Sequence, residues 1–281
     1  MTSLGTRIPP HAYFVVSAVF HYLGPSFAVL LFARIEPLGV AWLRIASAAV
    51  IFALWRRPWR YFRNLTRTER WTIAGLGIVL AAMNSLFYLA IEQLPLSTVG
   101  AIEFLGPIGL AAVGVRSARN LLALAVAIGG VYILTDVRIE GAPLGYLFAF
   151  ANCALFVLYI VLGHRISGAG SIDRLGASML IAMVVALPIG LREATPAFAD
   201  ATLLAAAVAV GVCSSVIPYV ADQLAMARLT RATFALMLSI LPATATVIGF
   251  LVLGQVPTWP EVAGIGLVIV GVALHRAPDV V

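Results

Sequence analysis

Apolar runs long enough to cross a bilayer recur along the whole chain, and no other feature limits its fold so strongly. A spanning helix needs roughly 20 mostly apolar residues. Such runs lie at about 12–32, 38–55, 71–91, 95–115, 121–135, 142–163, 175–191, 201–221, 233–254 and 260–275. Little chain is left for anything else: of 281 residues, 62% are hydrophobic and only 11% charged, against about a quarter charged in a soluble domain. A globule of this size has too little interior to hide so much apolar surface, so lipid must cover much of it. A soluble enzyme and a disordered chain are excluded. The fifth and tenth runs are the shortest and are rich in glycine (Gly129, Gly130; Gly264, Gly266, Gly271). They span only with little tilt or by borrowing flanking residues.

The net charge of +6 is carried entirely by arginine, since all 18 basic residues are of that type. Six of them, Arg56, Arg57, Arg60, Arg63, Arg67 and Arg70, crowd between the second and third runs. A basic loop between two spans suits the anionic cytoplasmic face of a membrane, and no nucleic-acid partner is expected. Ten spans put fourteen arginines on the side of both termini: that loop together with Arg7, Arg116, Arg119, Arg165, Arg174, Arg228, Arg231 and Arg276. Three, Arg34, Arg138 and Arg192, fall on the other side, and Arg44 lies inside the second span. The bias predicts cytoplasmic termini. Only Arg7 precedes the first run and no A-x-A site follows it, so no cleavable signal is expected. Cys153 and Cys213 sit inside apolar runs, without CxxC or histidine partners. They read as small buried hydrophobes, and neither metal nor cofactor is expected.

The tract from Leu89 to Pro107 repeats, at a constant offset of 135, as Leu224 to Pro242. Leu89/Leu224, Ala90/Ala225, Leu94/Leu229, Thr98/Thr233 and Pro107/Pro242 match without a gap. Both copies run from one span into the next. Two halves of five spans, 1–138 and 139–281, must insert in opposite orientations, and inverted repeats are a recurring transporter design.

The segments Asn84-SLFYLAIEQLPL…AIEFLGP, Leu43-Arg44 and Ile217-PY…ARLTRATFALMLSILP resemble the EamA branch of the drug/metabolite transporter superfamily. Within it the chain is most similar to the threonine/homoserine-type and other bacterial amino-acid exporters. The resemblance implies an all-α integral membrane protein of ten transmembrane helices, arranged as two inverted five-helix repeats around a central cavity. It further implies export of amino acids or related small metabolites across the bacterial inner membrane. Two positions depart from the family pattern: Leu241 stands where many members carry an acid, and Gly254-Gln255 where Gly-Glu is common.

Charges at membrane depth cost a few kcal/mol, so each is a functional candidate. Glu103 lies mid-span with Gly100 and Pro107 on its face. It either lines the cavity, attracting a substrate ammonium or carrying a proton, or is a structural acid paired with Arg44 or with backbone freed by Pro107. Arg44 either holds a substrate carboxylate, neutralises Glu103 or caps helix carbonyls. Asn84 and Tyr88 share a face of the third span and map through the offset onto Tyr219 and Gln223 of the eighth, as opposite walls of one cavity or as ordinary interhelical bonds. Asp222, close to the end of the eighth span, is expected to be solvated or paired with Arg228, with a coupling role as the alternative. His21 beside Gly24 and Pro25 is a packed side chain or a proton relay. Asn152, Phe156 and Tyr159 fall on one face of the sixth span, as core or as an aromatic wall. Pro25, Pro107, Pro218 and Pro242 remove backbone donors within spans and are candidate hinges.

The leading reading is a secondary carrier whose partners are a small-molecule substrate and the lipid bilayer, with no obligate protein partner. No Walker A motif is present, which excludes ATP-driven transport by this chain alone. An uncoupled facilitator, or an exporter of drugs or other metabolites, is the alternative. A membrane-embedded enzyme is remote, since no HExxH, GxSxG or paired aspartates occur at membrane depth.

Overall fold

The computed structural model describes residues 9–60, 65–114, 117–136, 142–230 and 241–274, with 234 and 238 between the last two. Arg7, Arg63, Arg116, Arg138, Arg231 and Arg276 of the charge argument, and Thr233 of the repeat, lie outside them. Every element among the described residues is helical. The helices are α1 (Pro10–Leu31), α2 (Pro37–Arg56), α3 (Arg67–Gln93), α4 (Leu96–Gly114), α5 (Ala118–Asp136) and α6 (Pro143–Ile166). They continue with α7 (Ser171–Gly190), the single turn α8 (Thr195–Phe198), α9 (Ala201–Gly211), α10 (Ile217–Met226), α11 (Leu241–Leu253) and α12 (Trp259–Leu274).

Local chemistry sets several of these ends. Pro37 opens α2 and Pro143 opens α6, where the missing N–H of proline costs nothing. At α3 the Thr66 hydroxyl and the Glu69 carboxylate cap one another's backbone N–H groups, and Thr258 with Glu261 does the same at α12. Among the described residues, six helices are long and apolar enough to cross a membrane: α1, α2, α3, α6, α7 and the continuous stretch Ala201–Met226. Shorter apolar helices lie within α4, α5, α11 and α12.

The core is apolar, but unlike in a soluble protein many large apolar side chains also face outward and several polar ones lie inside. Leu54, Leu251 and Tyr132 are about as exposed as surface residues become, whereas Arg44, Asn84, Glu103, Asn152, Asp222 and Gln223 are buried. Apolar side chains turned outward on helices of this length match lipid, and they leave the polar ones to the interior.

Two compact units form. The first joins Met1–Ala82 with Tyr159–Thr230, and the second joins Met83–Leu158 with Arg231–Val281. In the first, α2 packs along α7 and α1 along α10. In the second, α5 packs along α12 and α4 along α11. The glycines of the two shortest runs have their reason here. A Cβ on Gly130 would lie 2.5 Å from the Gly264 carbonyl, and one on Gly271 2.7 Å from the Ala123 carbonyl. Small residues allow the close backbone approach on which helices rely in a membrane.

Candidate functional site

In the first unit the polar residues gather around a break in helical geometry. Between α9 and α10 the backbone widens into five residues of π-helix, Val212–Val216, and Pro218 follows directly. Proline has no N–H for the carbonyl four residues back, here that of Ser214. Arg44, 3% exposed on α2, supplies the donor. Its Nη2 donates to the Ser214 carbonyl at 2.5 Å, and its Nε to the Ser215 hydroxyl at 2.8 Å. The guanidinium also lies 6.0 Å from the centre of the Tyr219 ring. π segments are rare and concentrate at functional sites. α1 comes so close to this one at Gly24 that an added Cβ would lie 2.7 Å from the Ser214 nitrogen.

Asp222 is where the expectation from sequence fails. It is neither solvated nor left at the interface: it is 3% exposed. The helix runs on to Met226, past the expected end at 221, and keeps Asp222 in the interior. Its carboxylate accepts hydrogen bonds from the Ser17 hydroxyl of α1 and from the Tyr159 hydroxyl of α6, the latter at 2.7 Å. The Tyr159 and Tyr219 rings lie 5.4 Å apart and extend the cluster toward Arg44. Beside Asp222, Gln223 is fully buried, and its Oε1 meets no hydrogen-bond donor among the described residues. The Ser214 hydroxyl is in the same position. Leaving a buried polar atom unmet costs about 1–3 kcal/mol, so such atoms mark where a ligand or water is received. His21 stands one turn after Ser17 on the same face of α1, edge-on to Tyr22.

The second unit holds the other candidates. Glu103, 2% exposed on α4, accepts a hydrogen bond from the Asn152 amide of α6 at 2.9 Å. Asn84 and Tyr88 are buried on α3, and so is Phe156 on α6. Thus Asn84, Tyr88, Glu103 and Asn152 belong to this unit, and His21, Tyr159, Tyr219 and Gln223 to the first. Pro25 and Pro107 are interior to α1 and α4, and Pro242 is the second residue of α11. Sequence reasoning missed Ser17, Ser214 and Ser215. Their signals were faint: a serine one turn before His21, and a serine pair one turn before Pro218.

Known proteins resemble the chain in sequence and in fold. The threonine/homoserine exporter RhtA of Salmonella typhimurium strain LT2 is 29% identical over 269 residues, which cover 92% of this chain and 89% of that protein. The protein of the same name from Escherichia coli K12 is 29% identical over 249 residues, 88% of this chain and 84% of the relative. A solved crystal structure shares the fold, with a TM-score of 0.64 at 18% identity over 97% of this chain and 100% of its own. Residues 143–276 match the model of the EamA-like transporter family. The chain is thus a multi-pass membrane protein that is similar, over residues 143–276, to the EamA-like transporter family.

Proposed function

We propose that the protein is a secondary carrier that exports threonine, homoserine or similar small amino acids across the bacterial inner membrane by alternating access. Its halves, 1–138 and 139–281, act as inverted five-helix repeats, with ten spans and both termini cytoplasmic. The similarity to proteins named as threonine/homoserine exporters, over about nine-tenths of this chain, supports the substrate class. The observation that carries the reading is the buried cluster around Asp222.

A carboxylate, an unmet amide oxygen and three hydroxyl groups are costly inside apolar helices, and a binding function repays that cost. A zwitterionic amino acid needs an acceptor for its ammonium and donors for its carboxylate. Asp222 and Gln223 Oε1 are acceptors for the ammonium. The hydroxyls of Ser17, Tyr159 and Ser214 rotate to donate or accept as the site fills and empties. Arg44 is committed to Ser214 and Ser215, so it holds the π segment in shape. The π segment and Pro218 give this helix a point at which to bend, and Pro25, Pro107 and Pro242 serve as further hinges. In the second unit Glu103, with Asn152, is the other acid available to a substrate ammonium or a coupled proton.

Efflux of radiolabelled threonine and homoserine from proteoliposomes tests this reading. Asp222→Asn keeps the shape and removes the charge. It is expected to slow efflux roughly tenfold or more, the effect of losing about 1.4 kcal/mol at the limiting step, with the melting temperature nearly unchanged. Full export by a folded Asp222→Asn protein would overturn the site. Absence of export for every small amino acid in a panel would overturn the substrate class. Equal flux with and without an ion gradient would identify an uncoupled facilitator.

A further inference from the structure

A second polar site lies at the end of α2, away from the Asp222 cluster. A pocket of about 380 Å³ is lined there by Trp55, Arg56, Arg57, Arg60 and Asp173. Three guanidinium groups face one carboxylate, so the wall is positive. Arg56 is already held, its Nε and Nη2 each donating to an Asp173 oxygen at 2.9 Å. That pair fixes one side of the pocket and ties α2 to α7. Arg57 and Arg60 form the other side and are exposed.

The backbone presents these two arginines together. Arg57 ends α2 in the left-handed region at φ 50°, a conformation uncommon for any residue but glycine or asparagine. The chain then closes a 3₁₀ turn over Pro58–Arg60, in which the Arg60 N–H donates to the Arg57 carbonyl at 3.0 Å. Around this end of the unit Trp55, Trp59 and Trp71 are 54%, 51% and 69% exposed. Exposed tryptophan at the end of a spanning helix sits at headgroup depth.

We propose that this pocket binds the phosphate of an anionic phospholipid headgroup, with the Arg57 and Arg60 guanidinium forks as its ligands. Guanidinium presents paired donors that match two oxygens of one phosphate. A free phosphate ester offers the same oxygens. The tryptophans favour the lipid source, because they hold the pocket at the depth where lipid phosphates are concentrated.

The full-length protein in neutral detergent is titrated with dioctanoyl phosphatidylglycerol, with dioctanoyl phosphatidylcholine and with glycerol 3-phosphate, following tryptophan fluorescence and melting temperature. Phosphatidylglycerol is expected to shift both signals at concentrations where the other two shift neither. The double variant Arg57→Asn, Arg60→Gln retains a residue suited to the left-handed turn. It is expected to weaken phosphatidylglycerol binding roughly thirtyfold, from the contribution of two arginines. Asp173→Asn removes the one carboxylate and is expected to tighten binding, an effect that misfolding does not imitate. Equal binding by wild type and the double variant would overturn the proposal, as would an Asp173→Asn protein that binds no more tightly. Glycerol 3-phosphate binding as tightly as the lipid would overturn the lipid assignment.

Discussion

Glu103 and Asp222 are both acids on apolar helices, and both meet neutral donors, but of different kinds. Asp222 accepts from two hydroxyls, each able to rotate toward a substrate instead. Glu103 accepts from the Asn152 amide, whose geometry is fixed by its plane. The difference makes Glu103→Gln a clean probe. Glutamine keeps an oxygen for Asn152 while replacing the other carboxylate oxygen by an amide NH2 and removing the charge, so the melting temperature is expected to stay within a few degrees while efflux is mostly lost. Normal efflux by that folded variant would reduce Glu103 to a packing role. Arg44, Glu103 and Asp222 were visible in the sequence as candidates because a charge inside an apolar run always demands explanation. Ser17, Ser214 and Ser215 were not. A serine in a helix can satisfy itself on the carbonyl three or four residues back, so its presence in an apolar run carries no sign of a site. The burial of Asp222 was hidden for another reason: it depends on how far the helix continues past residue 221.

At the scale of the element, helix ends are where charge and backbone meet. Asp200 caps α9, its Oδ1 accepting from the N–H groups of Thr202 and Leu203 at 2.9 and 3.1 Å. Arg34 lies 3.0 Å from its other oxygen. The Leu203 N–H bond above all, helped by Arg34 and Thr202, holds this carboxyl below the ordinary aspartate range. Because the folded value is lower than the unfolded one of about 3.9, the stabilisation is complete above the unfolded value. It is lost as pH falls through the folded value, that is, below about pH 4. Asp200→Asn keeps a capping oxygen without a titrating charge. Its melting temperature is expected to fall less than that of wild type between about pH 6 and about pH 3, and parallel profiles would refute the assignment. A second end is held by Gln255, in the Gly254-Gln255 pair that stands where Gly-Glu is common in the family that the sequence resembles. Gly254 leaves α11 at φ 64°, and the Gln255 N–H bonds back to the Gly249 carbonyl at 3.1 Å, the wrapped C-terminus that glycine permits. The Gln255 side-chain oxygen then accepts from the Leu96 N–H at the start of α4, at 3.1 Å. The amide oxygen thus caps the first turn of α4 from the end of α11.

At the scale of the whole molecule, sequence order and compact units cut the chain differently. Composition and run length made the all-helical membrane class legible, and the glycines of the fifth and tenth runs marked real close packing. The partition into units was not legible, because it depends on which outward face of each helix meets which partner, and apolar faces look alike in sequence. In each unit the extensive helix faces join an element before residue 138 to one after it: α1 with α10 and α2 with α7, then α4 with α11 and α5 with α12. Each half of the sequence therefore relies on the other for large parts of the cover of these helices, although α4 also packs on α5 within the first half. Arg44 makes the point for a single residue, since the Ser214 and Ser215 groups it bonds lie in the other half. Alone, fragment 1–138 would keep that cation inside an apolar helix with nothing to hold, at a cost of several kcal/mol. The chain divided after residue 138 is accordingly expected to yield no stable protein from either fragment by itself. The two fragments expressed together are expected to copurify from the membrane and to restore efflux. A fragment 1–138 that is monodisperse and melts cooperatively on its own would show that the faces named here are not what holds the protein together.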